Sequence, residues 1–576
     1  MPGPSTKVVP PVRSLVRDAV AGAWREAVAA AALPAAPSDD DAVEVEIERP
    51  GDPTHGDFAS NIALKLARPY RRAPLDIARA IAETLDGQRS AGDSGPANAS
   101  VALLRSAVVA PPGFINLTLD DAFVAGRVAE ILDAGERYGH VAASTPQRLN
   151  VEFVSANPTG PLHVGNARGA FIGDVLSRVL DAAGHGVTRE YYFNDSGNQV
   201  RELGESVRRA HAGEPLDDAP YRGGYVAELG RDVPAEVDAQ AAAAAARGED
   251  PAWVYGRWAT ERMRAEIERS LADLGVRFDA WTTEGSLYGE GWVERGLAKL
   301  AAASATYESD GALWFRAAEY GDEKDRVLRK SDGSGTYFMA DVGYLENKFA
   351  RGSDHLIYVW GADHHGTVAR LRGAATALGH DPASVEVLLY SWVRFVRDGK
   401  EVSMSKREGE YVTLDELLSE VGVDAARWYF ASRSPTSPLD FDIELAKRQA
   451  PENPVYYVQY AHARIASILR VAAEQGLAPR ADLVGLLRDD VELGLARALL
   501  RLPEVVEDSA ARRETHEITA YAHELAATFH AFYRDRRVVD ADAPDVSAAR
   551  LALVAATRQV IANALGLLGI SAPDSM

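Results

Sequence analysis

The chain contains no cysteine, which removes disulfides, thiol catalysis and every zinc site built on thiolates. Only 13 histidines and the carboxylates remain as protein metal ligands, so a metal here points to Mg2+ arriving with a phosphate ligand. Lysine is scarce too. It supplies nine of the 62 basic residues, so a lysine at a special place carries weight. No stretch approaches the ~18 uninterrupted apolar residues of a membrane span, and the run Ala241–Ala246 is flanked by Asp238 and Arg247. The opening MPGPSTKVVPPVRSLVRDAV has prolines where a signal peptide would have its apolar core, which predicts a cytoplasmic protein with no membrane partner. Positive charge is outnumbered, 62 − 84 = −22, which argues against nonspecific nucleic-acid binding by the whole surface. A polyanion feels a local face, however, and not the sum.

What is present is globular: 576 residues, 47% apolar and 25% charged, enough for three or four domains. Residues 1–145 pattern as an α+β unit, with a helix over VRSLVRDAVAGAWREAVAAA, a strand at VEVEIERP, a loop over Gly87–Ser100, a strand at Gly113–Leu119 and a helix to about Ala134. From Arg148 the pattern becomes strand, helix, strand: LNVEFVSA, ARGAFIGDVLSRVLDAAG and VTREYYFND. The same unit recurs at HLIYVWGAD, TVARLRGAATALG and VEVLLYSWVRFV (385–396). Such units build a parallel sheet with right-handed crossovers. The expected fold is therefore α/β: a Rossmann-like parallel-sheet domain over 146–400, one sheet interrupted by an insertion at about 205–280, with two separate domains as the alternative. A signature loop and connecting helices occupy 401–450, and an α-helical bundle fills 451–576. That last region holds 13 Arg, no Lys and 17 acids, so charge does not announce a nucleic-acid surface there.

Two segments carry chemistry. ANPTGPLHVGNARG, Ala156–Gly169, lies where a strand hands over to a helix, and a helix N-terminus offers free amides and a positive dipole end to a polyphosphate. Gly165 permits close approach of a ligand, while His163 and Asn166, three apart, both donate to an anion. The plain alternative is that Asn166 merely caps the helix. RDGKEVSMSKREGEYVTLDELL, Arg397–Leu418, follows the last strand of the second unit and brings Lys406, a point charge that reaches a phosphate.

In this order the two segments resemble the two signatures of class I aminoacyl-tRNA synthetases, written H-I-G-H and K-M-S-K-S. Here they are His163-Val164-Gly165-Asn166 and Ser403-Met404-Ser405-Lys406-Arg407. Both depart from the pattern: Asn166 replaces the second histidine and Ser403 the first lysine, which leaves Lys406, with Lys400 or Arg407, to hold phosphates. The finer resemblance is to arginyl-tRNA synthetases, and it covers nearly the whole chain: HGDFASNIALKLA, VEFVSANPTGPLHVGNARGAFIGD, EYYFNDSGNQ, SGTYFMADVGY, YVWGADHHG, NPVYYVQYAHARI and ALGLLGISAPDSM. The cysteine enzyme of this class needs a thiolate zinc site, and the branched-aliphatic enzymes need a larger editing insertion. Two other readings compete: a small nucleotidyltransferase with a similar turn, and a synthetase-derived tRNA-binding protein with a dead site.

The resemblance implies ATP, Mg2+, L-arginine and tRNA(Arg) as ligands, a monomer, and adenylate formation that needs bound tRNA. It puts His163, Gly165, Asn166, His364, Met404, Ser405 and Lys406 at ATP, with His163, Asn166 and Lys406 as the catalytic groups. It puts Asn157, Asp195, Glu284, Tyr337, Asp341 and His365 at arginine. Carboxylates and a phenol suit a planar cation with five donors. It assigns the tRNA elbow to the N-terminal unit, with Asn61 a contact, and the anticodon to the bundle, with Tyr456, Gln459 and His462 as contacts. Tyr456 and Tyr460 also fit as core residues.

Overall fold

The structure, a computed structural model, describes residues 8–35, 43–91, 102–402 and 412–576. The N-terminal unit is a four-stranded antiparallel sheet of β1 (Ile47–Glu48), β2 (Phe58–Ser60), β3 (Leu104–Ala110) and β4 (Phe114–Leu119), ordered β1-β2-β4-β3. Helices Val12–Ala29, Ile62–Tyr70, Pro74–Ala91 and Asp121–Ala134 accompany it. The strand expected at VEVEIERP shrinks to the two residues of β1, an edge with a single partner. The expected loop from Gly87 begins later, because the helix continues to Ala91; its remainder lies outside the described residues.

The central parallel sheet is one sheet. It comprises β5 (Arg148–Phe153), β6 (Gly186–Phe193), β7 (Ala280–Thr283), β11 (His355–Gly361) and β12 (Val385–Tyr390), all parallel, in the order β12-β11-β5-β6-β7. The two strand–helix–strand units are thus sewn edge to edge, with Ile357 of β11 opposite Val151 of β5. From that seam one crossover runs outward to β6 and the other to β12. Their carboxyl ends therefore splay apart and leave a switch-point crevice, where open α/β sheets bind ligands.

Two excursions interrupt the sheet. Between β6 and β7 lie four helices, Asn198–His211, Gly224–Asp232, Ala235–Ala246 and Ala252–Asp273, around an apolar core of their own. Between β7 and β11 a small antiparallel sheet, β8 (Thr306–Ser309), β9 (Ala312–Phe315) and β10 (Arg326–Arg329), was not anticipated. Its signal was in the sequence: Asp310-Gly311 separates β8 from β9, both residues take positive φ (52° and 76°), and Asp-Gly between strand-like runs marks a tight hairpin. The run 385–396, expected as one strand, divides at Ser391 and Trp392 into β12 and β13 (Val393–Arg397). The latter joins β14 (Lys400–Glu401) and β15 (Leu439–Asp442) in a separate sheet.

The helix that follows β5, Val164–Ala182, lies so close to it that a Cβ on Gly173 would stand 2.1 Å from the Phe153 ring. Gly173→Ala therefore overpacks the seam of the site. It is expected to lower stability by about 1–3 kcal/mol in a urea titration, and wild-type stability would remove this account of the packing.

The bundle has five helices, Pro454–Glu474, Asp490–Leu499, Leu502–Arg512, His516–Asp535 and Pro544–Leu568. The last is apolar and long enough to cross a membrane by length and composition; here it forms the bundle core, with Leu551, Leu553, Val560 and Leu565 buried. The bundle is sutured to the N-terminal unit by charge: Arg49 pairs with Glu504 at 2.7 Å, and Arg497 with Asp57 and Asp121 at 3.1 and 2.7 Å.

Candidate active site

β5 ends abruptly at the crevice. Val154 and Ser155 both take positive φ, 66° and 44°, a costly conformation for a branched residue and one that marks functional sites. The Ser155 hydroxyl holds the bend, donating to Glu152 at 3.1 Å while accepting from the Tyr192 N–H at 3.2 Å. The chain then reaches His163, the N-cap of the following helix. Its Nδ1 accepts from the Gly165 N–H at 3.1 Å, and the Asn166 Oδ1 accepts from the His163 N–H at 3.2 Å. This reciprocal cap fulfils the plain alternative for Asn166 and leaves its amide nitrogen as a donor. It also fixes the imidazole proton on Nε2, and desolvation holds the ring below its usual pKa, hence neutral at pH 7.

Ser403, Met404, Ser405, Lys406 and Arg407 lie outside the described residues, but the chain that follows them does not. The Val164 N–H donates to the Val412 carbonyl at 3.2 Å, the Leu414 N–H donates to the Leu162 carbonyl at 2.9 Å, and Thr413 bridges His163. Thr413 is in turn the N-cap of helix Leu414–Val421, boxed with Glu416. The chain that follows the second signature thus meets the first, residues 412–414 against 162–164. On the other side, Arg168, fully buried, donates to the carbonyls of Ser391, Trp392, Ser434 and Ser437 at 2.7–3.2 Å and clamps the strand break to the same helix. Burial brings its guanidinium down to about 10.

Acidic side chains also gather at the carboxyl ends of β6 and β7, within electrostatic reach of Asp341. Glu284, at the end of β7, is 9% exposed; it accepts from the Tyr192 hydroxyl at 3.0 Å and from the Ser196 hydroxyl at 3.1 Å. Burial raises its pKa, and Asp195 adds to the rise. Asp195 accepts from the Gly285 N–H at 2.7 Å, tying the ends of β6 and β7 together. Asp341 and Tyr337 come from helix Tyr337–Ala350, which leads into β11. Tyr337 is 68% exposed. The Asp341 carboxyl keeps some exposure as a residue, yet dense packing around it pushes its pKa up to about 7. Glu152 and Glu284 raise it further, against the pull of Arg370 and Lys348. Beneath it Lys348, wholly buried, pairs with Glu152 at 2.5 Å between the rings of Tyr344 and Tyr358. The sequence reading missed Glu152, Tyr192, Lys348 and Arg370; a lone acid inside the apolar strand LNVEFV was the available clue.

Other expected residues are placed as follows. Asn157 donates to Gln199 at 2.7 Å just past β5. His364 and His365 are exposed in the short helix Ala362–Thr367 after β11, with His364 5.7 Å from the Trp360 ring. Asn61 donates to Glu46 at 3.1 Å in the N-terminal unit. On the bundle, Tyr456 and Tyr460 are half-buried with near-parallel rings 6.1 Å apart, and Tyr460 lines a cavity of about 880 Å3 with Arg464, Tyr533 and Arg536. Gln459 and His462 are buried instead and hold the C-terminal residues: Gln459 donates to Asp424 and the Ser571 carbonyl, and His462 Nδ1 lies 2.9 Å from the Pro573 carbonyl.

A capped helix start at the switch point of a doubly wound sheet, with a second polar segment returning onto it, fits a class I aminoacyl-tRNA synthetase catalytic domain. The family model described as the class I (R) tRNA synthetase catalytic domain matches residues 127–436. The arginyl tRNA synthetase N-terminal domain matches 22–119, and the DALR anticodon binding domain matches 458–576. The arginine–tRNA ligase of Syntrophotalea carbinolica is 45% identical over 543 residues, covering 92% of this chain and 95% of that one. That of Moorella thermoacetica is 44% identical over 571 residues, covering 97% and 98%. The chain belongs to the arginyl-tRNA synthetase family. The solved arginyl-tRNA synthetase of Thermus thermophilus, 24% identical, shares the fold across 98% of this chain and all of that one with a TM-score of 0.73.

Proposed function

We propose that the crevice carries out the family's reaction, ATP-dependent attachment of L-arginine to tRNA(Arg) through an arginyl-adenylate, with the residues above in defined roles. The observation that carries this reading is the gathering of Asn157, His163, Asp195 and Glu284 just past the carboxyl ends of β5, β6 and β7, adjacent parallel strands of one sheet. Arginine enters with its guanidinium toward Glu284, Asp341 and Tyr337, and its amino-acid end toward Asn157, Asp195 and His365. The triphosphate lies at the start of this helix, with His163 Nε2 and the Asn166 amide as donors, and His364 beside the adenosine. Lys406, with Met404 and Ser405 beside it, meets the charge on the departing pyrophosphate. The arginine carboxylate attacks the α-phosphate in line and pyrophosphate departs; the terminal ribose hydroxyl of tRNA then attacks the acyl carbon, breaking the acyl–phosphate bond and releasing AMP and a proton. No protein nucleophile is involved; catalysis is positioning and charge stabilisation.

His163 and the Asn166 amide are hydrogen-bond donors, which suit phosphate oxygens and not a metal, so Mg2+ would be held by the nucleotide and would supply charge neutralisation there. The N-terminal unit, through Asn61, takes the tRNA elbow. The bundle takes the anticodon on Tyr456 and Tyr460, and Gln459 and His462 act by holding the C-terminal residues. The enzyme acts as a monomer in this scheme, every assigned residue coming from one chain.

Pyrophosphate exchange tests the reading: it is expected only when arginine and tRNA are both present. Citrulline, which lacks the cation, is expected to give none. Exchange driven by another amino acid would defeat the assignment. Asn166→Ala removes one phosphate donor and half of the helix cap, and is expected to lower kcat by about 10- to 100-fold while arginine KM stays within about twofold. An unchanged kcat would leave Asn166 a cap alone.

A further inference from the structure

Three buried or part-buried charges take no part in the chemistry above. Asp174, 1% exposed, lies on the helix that opens at His163. Arg427, 0% exposed, comes from helix Val423–Ala431. Its Nε donates to the Leu568 carbonyl at 2.7 Å, one terminal nitrogen to the Leu274 carbonyl at 2.8 Å, and the other to Asp174. Arg178 donates through Nε to the same Asp174 oxygen at 2.8 Å, and through its terminal nitrogens to the carbonyls of Gly275 at 3.0 Å and Gly566 at 3.5 Å.

Those four carbonyls belong to two helix ends. Gly566 and Leu568 close the last helix of the bundle; Leu274 and Gly275 follow the last helix of the excursion between β6 and β7. A helix C-terminus carries about half a negative charge. Two guanidiniums, one carboxylate and two helix ends therefore come close to neutrality, which lets so many charges be buried together. Gly569 adds a steric lock: its φ is +66°, and a Cβ there would stand 2.2 Å from a terminal nitrogen of Arg427. The bundle cannot shift against the helix of His163 without breaking this junction.

We propose that Asp174, Arg178 and Arg427 are positioning residues which couple the placement of the C-terminal bundle, and of tRNA held on it, to the orientation of the helix carrying His163 and Asn166. The proposal rests on the reading of the crevice as the arginyl-tRNA-forming site. Neither the signature turn nor the anticodon-binding face contains these residues. They act through the rigid elements they join, and the consequence is energetic coupling between an anticodon base and the rate at the crevice.

A two-by-two cycle on the full-length enzyme tests this, pairing wild type and R178A with tRNA(Arg) transcripts carrying the native or a substituted anticodon base. Arg178 is the chosen position because its side chain is 34% exposed, so the Arg427–Asp174 contact survives its removal. The expected result is that R178A lowers kcat on native tRNA by about tenfold, with tRNA Kd within twofold, and that the anticodon substitution costs R178A much less in kcat than it costs wild type. Multiplicative penalties, with no coupling, would overturn the proposal whatever happens to Tm. If R178A does not fold, R178K enters the same cycle and is judged by the same non-additivity. Wild type that fails to charge tRNA with arginine at all would instead sink the proposed function, so the two failures are distinguishable.

Discussion

Asp341→Asn is expected to raise the KM for arginine by about 10- to 150-fold, the loss of a hydrogen bond to a charged group worth about 1.5–3 kcal/mol, while the KM for ATP stays within about twofold. The asparagine keeps the size of the side chain but accepts with one oxygen and carries no charge. It therefore meets the guanidinium with a single neutral acceptor and an amide that repels its donors. Asp341 lies within electrostatic reach of Glu284 and Glu152, and burial holds its own pKa up to about 7. A shift in the ATP dependence alone would move Asp341 out of the arginine pocket.

The same crowding predicts a pH dependence with a definite sign. Arginine binds the ionised carboxylate, so at low pH the free enzyme must first release a proton from Asp341. Below about pH 7 apparent affinity falls tenfold per unit, and above it the dependence flattens. Between pH 6 and 8 the KM for arginine is expected to drop by about tenfold, and the slope should vanish in Asp341→Asn. A wild-type KM that is flat over this range, or that rises, would contradict the assignment.

The helix start at His163 was legible because capping and anion binding use the same residues at the same place: a polar pair three apart after an apolar strand. The parallel sheet was legible from two strand–helix–strand units; their union in one sheet was the expected reading, though periodicity alone fits two separate domains as well. The strand break at Ser391 was not. VEVLLYSWVRFV contains neither glycine nor proline, and the break is imposed from outside by Arg168, whose four carbonyl partners lie 223 to 269 residues away. Arg427 stood in plain view as one charge inside AARWYFA, but its partners, up to 253 residues distant, exist only once three units have docked. The tRNA-contact roles of Gln459 and His462 looked plausible on a helical surface, yet that face of the helix is covered by the chain's own last residues.

Lys348 is the clearest case of a residue whose role sequence hides, and it carries the largest expected effect on stability. In YFMADVGYLENKFA it reads as an ordinary basic residue near a helix end. The fold buries it completely, 2.5 Å from Glu152 on β5, 196 residues away, with two tyrosine rings at 4.2 and 4.0 Å. Lys348→Met preserves volume and helix propensity but leaves Glu152 buried without its cation. The expected cost is about 3–5 kcal/mol, read as a lower urea midpoint at unchanged slope. Removing both charges, Glu152→Gln with Lys348→Met, is expected to recover most of that loss, because a buried pair contributes little net stability and the penalty comes from orphaning one partner. The double variant also separates stability from function. Glu152 is the residue bonded to Ser155 in the bend that leads to His163, and both members of the pair set the potential at Asp341. The restored protein should therefore still bind arginine with an altered pH profile. Equal destabilisation of the single and double variants would mean that the pair is not the source of the cost and that Lys348 serves packing alone.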